Sequence, residues 1–234
     1  MSNVKMNGVV LSEANVGDFD KMLTILTPGA GKISCIAKGA RRPRSALLAG
    51  TQMFCFGEYL MYKGTTTYHI NSVEPIEVFY NLRTDLDKLE YATQINKIVQ
   101  DVTYQNQNCY KILQLLLNTL YTISETNKNL DLVLSVFKLR LLCILGFTPI
   151  TRTCTSCKTE EGLQYFSLKD NGFKCEPCSR QDKSCIHINE STKNAIKYTI
   201  MAPAKKLYSF ELKSDSLEEF KLIMKLYFKE KLEL

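Results

Sequence analysis

The first third of the chain consists of short apolar or alternating runs separated by Gly and Pro, a pattern typical of β-strands joined by turns. No long helical pattern interrupts residues 1 to about 78. Five or six strands in so short a stretch predict a small barrel, and we expect an OB-fold over residues 1–79. The predicted strands are residues 9–11, 23–27, 32–37, 53–56, 59–62 and 66–70.

From about residue 80 the apolar period becomes helical. Thr84 is the predicted N-cap of a first helix. A second amphipathic helix is predicted around residues 112–120, and residues 130–145 are apolar nearly all round, which places them at the centre of a helical core. Gly146 is the predicted C-cap that ends this third helix before Pro149. The predicted inward face of the first helix is Leu86, Leu89, Ile95, Ile98, Val99 and Val102.

The helical pattern resumes near residue 190. Ser191 is the predicted cap of a helix that runs to about Met201 and is interrupted by Pro203. Residues 216–219 read Ser-Leu-Glu-Glu, a capping-box pattern that predicts the start of the last helix. One face of that helix is apolar and is expected to be buried; its residues are Phe220, Ile223, Met224, Tyr227 and Phe228.

Two CxxC pairs lie between these helical segments. Cys154 and Cys157 form the first pair, and Cys175 and Cys178 form the second. The spacing between the pairs falls within the range of zinc ribbons, and each turn can direct two thiolates at one ion. Residues 163–167 and 172–174 predict a short hairpin between the pairs. We therefore expect a structural zinc ion held by four cysteines, with no ligand position left for catalytic water.

The remaining cysteines and the two histidines change this picture little. Four ordinary buried cysteines, or two redox pairs, are the alternatives to zinc, although a thioredoxin-like redox motif would need a βαβ setting that the pattern lacks. Cys185 and His187 lie close to the second pair, and we expect neither to bind the metal. The other cysteines have apolar neighbours and are expected in the core; they are Cys35, Cys55, Cys109 and Cys143.

The predicted fold is therefore α+β and multidomain. We expect an OB-fold barrel over residues 1–79, a helical domain whose parts are 80–150 and 186–234, and an embedded zinc ribbon over 151–185. The apolar stretch 130–147 contains Asp131, Lys138 and Arg140, which disfavours a membrane span. A soluble, cytosolic protein is expected, and in a reducing cytosol paired cysteines indicate metal or redox chemistry before disulfides.

The net charge is mildly basic, at +6 over 234 residues, and part of it is concentrated. Residues 38–45 contain Lys38, Arg41, Arg42 and Arg44 together with Gly and Pro, which predicts an exposed loop. Arginine suits phosphate because its planar fork makes bidentate bonds, although a short charge run can also be simply solvated surface. Four aromatic residues in neighbouring runs are either stacking platforms for unpaired bases or barrel core; they are Phe54, Phe56, Tyr59 and Tyr62.

Several segments, in this order, resemble the RecO family of bacterial recombination mediators. The basic loop and the Gly-Phe-Thr-Pro sequence ahead of the first CxxC are the most specific of them. Their order and spacing cover nearly the whole chain, although residues beyond about 190 match only loosely. The segments are residues 8–11, 26–28, 31–33, 37–45, 79–86 and 145–149.

The resemblance implies an OB-fold, a helical domain and an embedded zinc ribbon. It also implies binding of single- and double-stranded DNA, annealing of complementary strands, and action with RecR to help RecA displace single-strand-binding protein. By motif, DNA binding carries over to Lys38, Arg41, Arg42 and Arg44, and zinc binding to the four CxxC cysteines. The family also binds the acidic tail of single-strand-binding protein, for which no local motif identifies residues.

Two other functions remain as alternatives. A metal-dependent nuclease or nucleotide-modifying enzyme is disfavoured, because the only histidines, His69 and His187, are far apart and no P-loop or dinucleotide-binding motif occurs. An OB-fold and zinc-ribbon protein that binds RNA or acts in transcription would use the same parts. A preference for RNA over DNA of equal length would favour that alternative.

Overall fold

The computed structural model describes residues 3–233. The chain forms two compact units, one up to Thr126 and the other from Asn127 onward. In residues 3–233, no helix combines the length and the apolarity that crossing a bilayer requires.

The first unit contains a closed five-stranded barrel with the strand order β1-β2-β3-β5-β4. β3 and β5 pair in parallel, whereas the other neighbouring strands are antiparallel. This topology confirms the predicted OB-fold. The strands are β1 (Asn3–Val16), β2 (Asp20–Thr27), β3 (Gly31–Ala37), β4 (Phe56–Lys63) and β5 (Tyr68–Glu77).

One predicted strand, over residues 53–56, is wrong in its extent. Met53 and Phe54 lie in turns, and β4 begins only at Phe56. The Phe54 amide donates to the Val10 carbonyl at 2.9 Å, so this segment is fixed to β1 although it does not continue a strand. Phe54 and Cys55 are buried although they lie outside a strand, which explains why the segment resembles a strand in the sequence.

Two helices, α1 (Leu86–Val102) and α2 (Tyr110–Glu125), pack against the barrel within the first unit. The register of β1 against β2 shifts between Val10 and Ser12, which marks a β-bulge at Leu11. The carbonyl group of Leu11 accepts a hydrogen bond from the Asn96 side chain of α1 at 3.0 Å. The bulge therefore provides a backbone acceptor that positions α1 on β1.

The predicted start of α1 needs two corrections. Asp85, not Thr84, is the N-cap, and its carboxylate accepts from the amides of Asp87 and Lys88. Thr84 instead donates its hydroxyl to the Asn81 carbonyl. Leu86 is 84% exposed rather than buried, because the start of the helix, residues 84–87, lies at the protein surface.

The helical part of the second unit consists of α3 (Leu130–Ile144), α5 (Glu190–Met201) and α6 (Ser214–Leu232), which pack on one another. The predicted apolar face of the last helix is buried, as expected. Arg140 of α3 donates to the carbonyl groups of Thr199, Ile200 and Ala202 at 2.5–3.1 Å. These bonds satisfy carbonyls at the C-terminal end of α5, where no helical partner remains.

Three predicted caps in this unit are wrong by a few residues. Leu145 is the C-cap of α3, and Gly146 follows it with a φ of 97°, a conformation that favours glycine. Asn189, not Ser191, caps α5. α6 begins at Ser214, so the predicted box at 216–219 lies inside the helix, and Glu219 accepts from the Asn189 amide at 2.8 Å.

The ribbon of the second unit is a three-stranded sheet with the order β7-β6-β8. β6 (Leu163–Ser167) and β7 (Gly172–Cys175) form the predicted hairpin, and β8 (Cys185–His187) adds a third strand that the sequence pattern did not indicate. A short helix, α4 (Glu176–Ser179), follows β7. A Cβ atom on Gly172 would lie 2.3 Å from the carbonyl oxygen of Ile150, so only glycine fits here.

Candidate metal centre and nucleic-acid interface

The four predicted zinc ligands come together in the ribbon. The sulfur atoms of Cys154, Cys157, Cys175 and Cys178 all lie within 4.8 Å of one another. Two of the separations are 3.6 Å, between Cys157 and Cys175, and 3.8 Å, between Cys175 and Cys154. A tetrahedral zinc ion with bonds of about 2.3 Å would set its sulfur ligands about 3.8 Å apart. The four side chains therefore fit a zinc ion.

Local backbone geometry positions each pair of sulfurs. After the first pair, Lys158 adopts a positive φ of 66° and its amide donates to the Cys154 carbonyl, which closes a tight turn. The second pair lies at the junction of β7 and α4, where Pro177 occupies the first turn of the helix. The Thr155 amide donates to the Phe173 carbonyl at 2.9 Å, which links the first turn to the second strand of the hairpin.

The electrostatics of the cluster favour a thiolate at its buried end. Burial opposes ionisation of Cys154, but the backbone amides of Cys175, Cys157 and Ser156 outweigh it and lower the pKa of this thiol to about 6. Zinc binds thiolates rather than thiols. A bound zinc ion would form a tetrahedral crosslink between the two turns. Because four thiolates would fill its coordination shell, no position would remain for a substrate.

A buried ion-pair network next to the cysteines was missed by the sequence reasoning. The ammonium group of Lys174 lies 2.5 Å from Asp170 and 2.8 Å from Asp182. Asp182 also accepts from the hydroxyls of Ser167 and Ser184. No local motif marks these residues, although a lysine between Phe173 and Cys175 on a short strand was a weak sign that its charge needed a buried partner.

The other cysteines lie outside the four-sulfur cluster. Cys35, Cys55 and Cys109 are buried, as expected, whereas Cys143 is half-buried. Burial raises the pKa of the Cys35 thiol to about 12. Cys185 lies on β8, paired with Ser167.

The basic loop, residues 38–45, is exposed at all four of its charged side chains. Gly39, with a φ of 66°, begins a series of tight turns in which the Arg42 amide donates to Gly39 and the Ser45 amide donates to Arg42. Among residues 3–233, no ion pair includes Lys38, Arg41, Arg42 or Arg44. Their charges therefore remain available to an anionic partner.

The loop is attached to the turn between β1 and β2. The Arg41 amide donates to the Phe19 carbonyl at 2.9 Å, and the Arg41 guanidinium donates to the Asp18 carbonyl at 3.2 Å. The carboxylate of Asp20 accepts from the Gly39 amide at 2.7 Å. These bonds hold the basic loop beside the hairpin turn of residues 17–19.

The aromatic residues considered for stacking divide into two groups. Phe54 and Tyr59 are fully buried, so they belong to the core and offer no surface to a base. Phe56 and Tyr62 are half-buried, and the Tyr62 ring stacks on His69 with the centroids 4.8 Å apart. The sequence pattern did not indicate Phe19, which is 44% exposed. The Arg42 guanidinium lies 5.5 Å from the centroid of the Phe19 ring.

Comparisons with known proteins identify the family of the chain. The family model described as "Recombination protein O N terminal" matches residues 1–79, and the one described as "Recombination protein O C terminal" matches residues 83–234. These limits differ from the boundary of the compact units at residue 126, since α1 and α2 pack on the barrel. The predicted domain limits therefore stay a prediction.

Curated relatives match over almost the full chain. A protein of Acetivibrio thermocellus named "DNA repair protein RecO" is 40% identical over 234 residues, which cover 100% of this chain and 93% of that protein. A protein of the same name from Alkaliphilus metalliredigens is 35% identical over 225 residues, covering 96% and 92%. One from Bacillus subtilis is 29% identical over 226 residues, covering 97% and 88%. The OB-fold, the four-cysteine ribbon and these matches together show that the chain belongs to the RecO family of DNA repair proteins.

Proposed function

We propose that this RecO-family chain is a non-enzymatic recombination mediator that binds single- and double-stranded DNA and anneals complementary strands. The observation that carries the proposal is the exposed basic loop, whose four charged side chains have no ion-pair partner among residues 3–233. Lys38, Arg41, Arg42 and Arg44 contact phosphates in this proposal, since arginine forks match phosphate oxygens.

The loop supplies affinity for the nucleic-acid backbone rather than chemistry. Neutralising phosphates releases counterions, which drives binding without sequence preference. The same surface on several copies of the protein brings two strands together after their mutual repulsion has been reduced. A zinc ion in the ribbon stabilises the second unit and takes no part in turnover, because four thiolates fill its coordination shell.

The partners in this proposal are those of the family. The chain acts with RecR and binds the acidic C-terminal tail of single-strand-binding protein. It also helps RecA to load onto DNA that is coated by single-strand-binding protein. DNA as the ligand implies a cytoplasmic location in a bacterial cell.

Annealing tests the proposal directly. Two complementary strands are coated with single-strand-binding protein, and duplex formation is followed without ATP in the presence of the chain. We expect acceleration by the wild-type protein and its loss in the variant Arg41→Ala/Arg42→Ala/Arg44→Ala. The matched control is Lys63→Ala/Lys97→Ala/Lys111→Ala, which removes the same charge from exposed positions of the same compact unit.

The control should anneal like the wild-type chain. Equal loss in both variants would assign the effect to net charge rather than to the loop. A folded, zinc-loaded wild-type protein that leaves annealing unchanged would contradict the mediator function itself.

A further inference from the structure

We infer that Phe19 stacks on an unpaired base and thereby gives the basic loop a preference for single-stranded over duplex DNA. The inference rests on the proposed function, since it presumes that the loop contacts DNA. Stacking on Phe19 distinguishes single strands from duplexes, which the arginines cannot do. Phosphates are present in both forms of DNA, whereas an open base face is present only in single strands.

The position of Phe19 is unusual for a phenylalanine. It lies in the turn of residues 17–19 between β1 and β2, and 44% of it is exposed. Gly17, with a φ of 55°, allows the tight turn. By contrast, Phe54 is completely buried. An apolar ring on a hairpin turn contributes little to the barrel core, so its exposure is consistent with a contact outside the chain.

Two contacts place Phe19 beside the basic loop. The Phe19 carbonyl accepts from the Arg41 amide at 2.9 Å, which fixes the turn against the loop. The Arg42 guanidinium lies 5.5 Å from the ring centroid, within the range of a cation–π interaction. Because Arg42 lies beside the ring, a DNA strand whose phosphate binds Arg42 brings an adjoining base within reach of Phe19.

The neighbouring acids do not cancel the positive field. Asp18 and Asp20 flank Phe19 in the chain, and Asp20 is engaged by the Gly39 amide at 2.7 Å. Four basic side chains against these two carboxylates leave the cluster with an excess of positive charge. The cluster thus combines an aromatic surface with cations, the composition of single-strand binding sites that do not read sequence.

The test separates the base contact from the phosphate contact. The probes are an oligothymidine, a strand of equal length built from abasic units, and a duplex of the same length. We expect the wild-type chain to bind oligothymidine on the order of 5- to 100-fold more tightly than the abasic strand, as base stacking on one aromatic ring provides. In Phe19→Leu, which keeps an apolar side chain but removes the ring, this preference should disappear.

Binding of Phe19→Leu to the abasic strand and to the duplex should equal that of the wild-type chain. The salt dependence of its binding should also be unchanged, because no phosphate contact is removed. A Phe19→Leu variant that keeps the full preference for oligothymidine, or a wild-type chain that has none, would overturn the inference. Weak, salt-insensitive binding of all three probes by the wild-type chain would instead refute the proposed phosphate contacts.

A second variant reports on stacking without relying on affinity. The chain contains no tryptophan, so Phe19→Trp introduces a single tryptophan, whose emission can be excited separately from that of the tyrosines. We expect oligothymidine to quench its emission and the abasic strand to leave it unchanged at saturation. Tyr121→Trp, at a position that is 56% exposed on α2, is the control and should respond to neither strand. Equal quenching of Phe19→Trp by both strands would contradict base stacking.

Discussion

The ammonium group of Lys174 lies 2.8 Å from the carboxylate of Asp182, and both side chains are almost completely buried, at 5% and 8% exposure. Lys174 comes from β7 and Asp182 from the segment that leads into β8. The pair therefore connects the hairpin to the segment that leads into the third strand of the ribbon, next to Cys175.

Removal of one partner should destabilise the second unit. Lys174→Met leaves the Asp182 carboxylate buried without its cation, and breaking a buried pair in this way typically costs about 3–5 kcal/mol. Thermal unfolding of the zinc-loaded protein measures the effect. The control is Lys169→Met, a nearby exposed lysine, which should change stability little. Equal melting temperatures for Lys174→Met and the wild-type chain would contradict a stabilising role for the pair.

The pH dependence of this contribution follows from the direction of the pKa shift of Asp182. Burial opposes its charge, but hydrogen bonds from Lys174, Ser167 and Ser184 outweigh burial and hold its pKa below the ordinary value of 3.8. A folded-state pKa below the unfolded one adds stability that is present above the unfolded value and is lost as pH falls toward the folded value.

We therefore expect the stability difference between the wild-type chain and Asp182→Asn to stay constant from neutral pH down to about pH 5. It should shrink only in more acidic solution, where the unfolded chain begins to bind the proton. Denaturant unfolding of both proteins at a series of pH values measures this difference. A marked change between pH 6 and pH 7 would assign the effect to another group.

Loss of one zinc ligand should remove the metal and weaken the fold. Cys154→Ser breaks the four-sulfur set at its buried member, and structural zinc sites contribute directly to folding free energy. We expect about one zinc ion per wild-type chain, less in the variant, and a lower melting temperature. Cys185→Ser is the matched control, because Cys185 lies in the ribbon but outside the cluster. Full zinc content and unchanged stability in Cys154→Ser would contradict the metal site.

The basic loop should determine the salt dependence of single-strand binding. Each phosphate contact contributes about 0.7 to the slope of log K against log salt concentration, so four contacts predict a slope of about −3. Replacement of Arg41, Arg42 and Arg44 by alanine should reduce the magnitude of this slope by about 2. Fluorescence anisotropy with a labelled oligothymidine at several salt concentrations provides the slope. An unchanged slope in the triple variant would place the phosphate contacts elsewhere.

Caps and strand ends were predicted less well than the elements themselves. Thr84 and Asp85 are adjacent residues that both suit an N-cap, and only the observed hydrogen bonds of Asp85 decide between them. Glu219 resembles the end of a capping box, yet it accepts from Asn189, which itself caps α5. Such choices depend on which helices meet, and a local pattern contains no information on that.

The sequence by itself determined most of the barrel strands, the helical segments and the four cysteines that cluster in the ribbon. Strand alternation follows from burial of one barrel face, and a CxxC turn brings two sulfurs together through local geometry alone. Only the tertiary structure decided that Phe54 is core and that Phe19 lies under Arg42, a residue 23 positions later in the chain. It also decided that Lys174 finds Asp182. All three outcomes depend on packing between separate segments of the chain, because exposure and charge pairing are properties of neighbours in space.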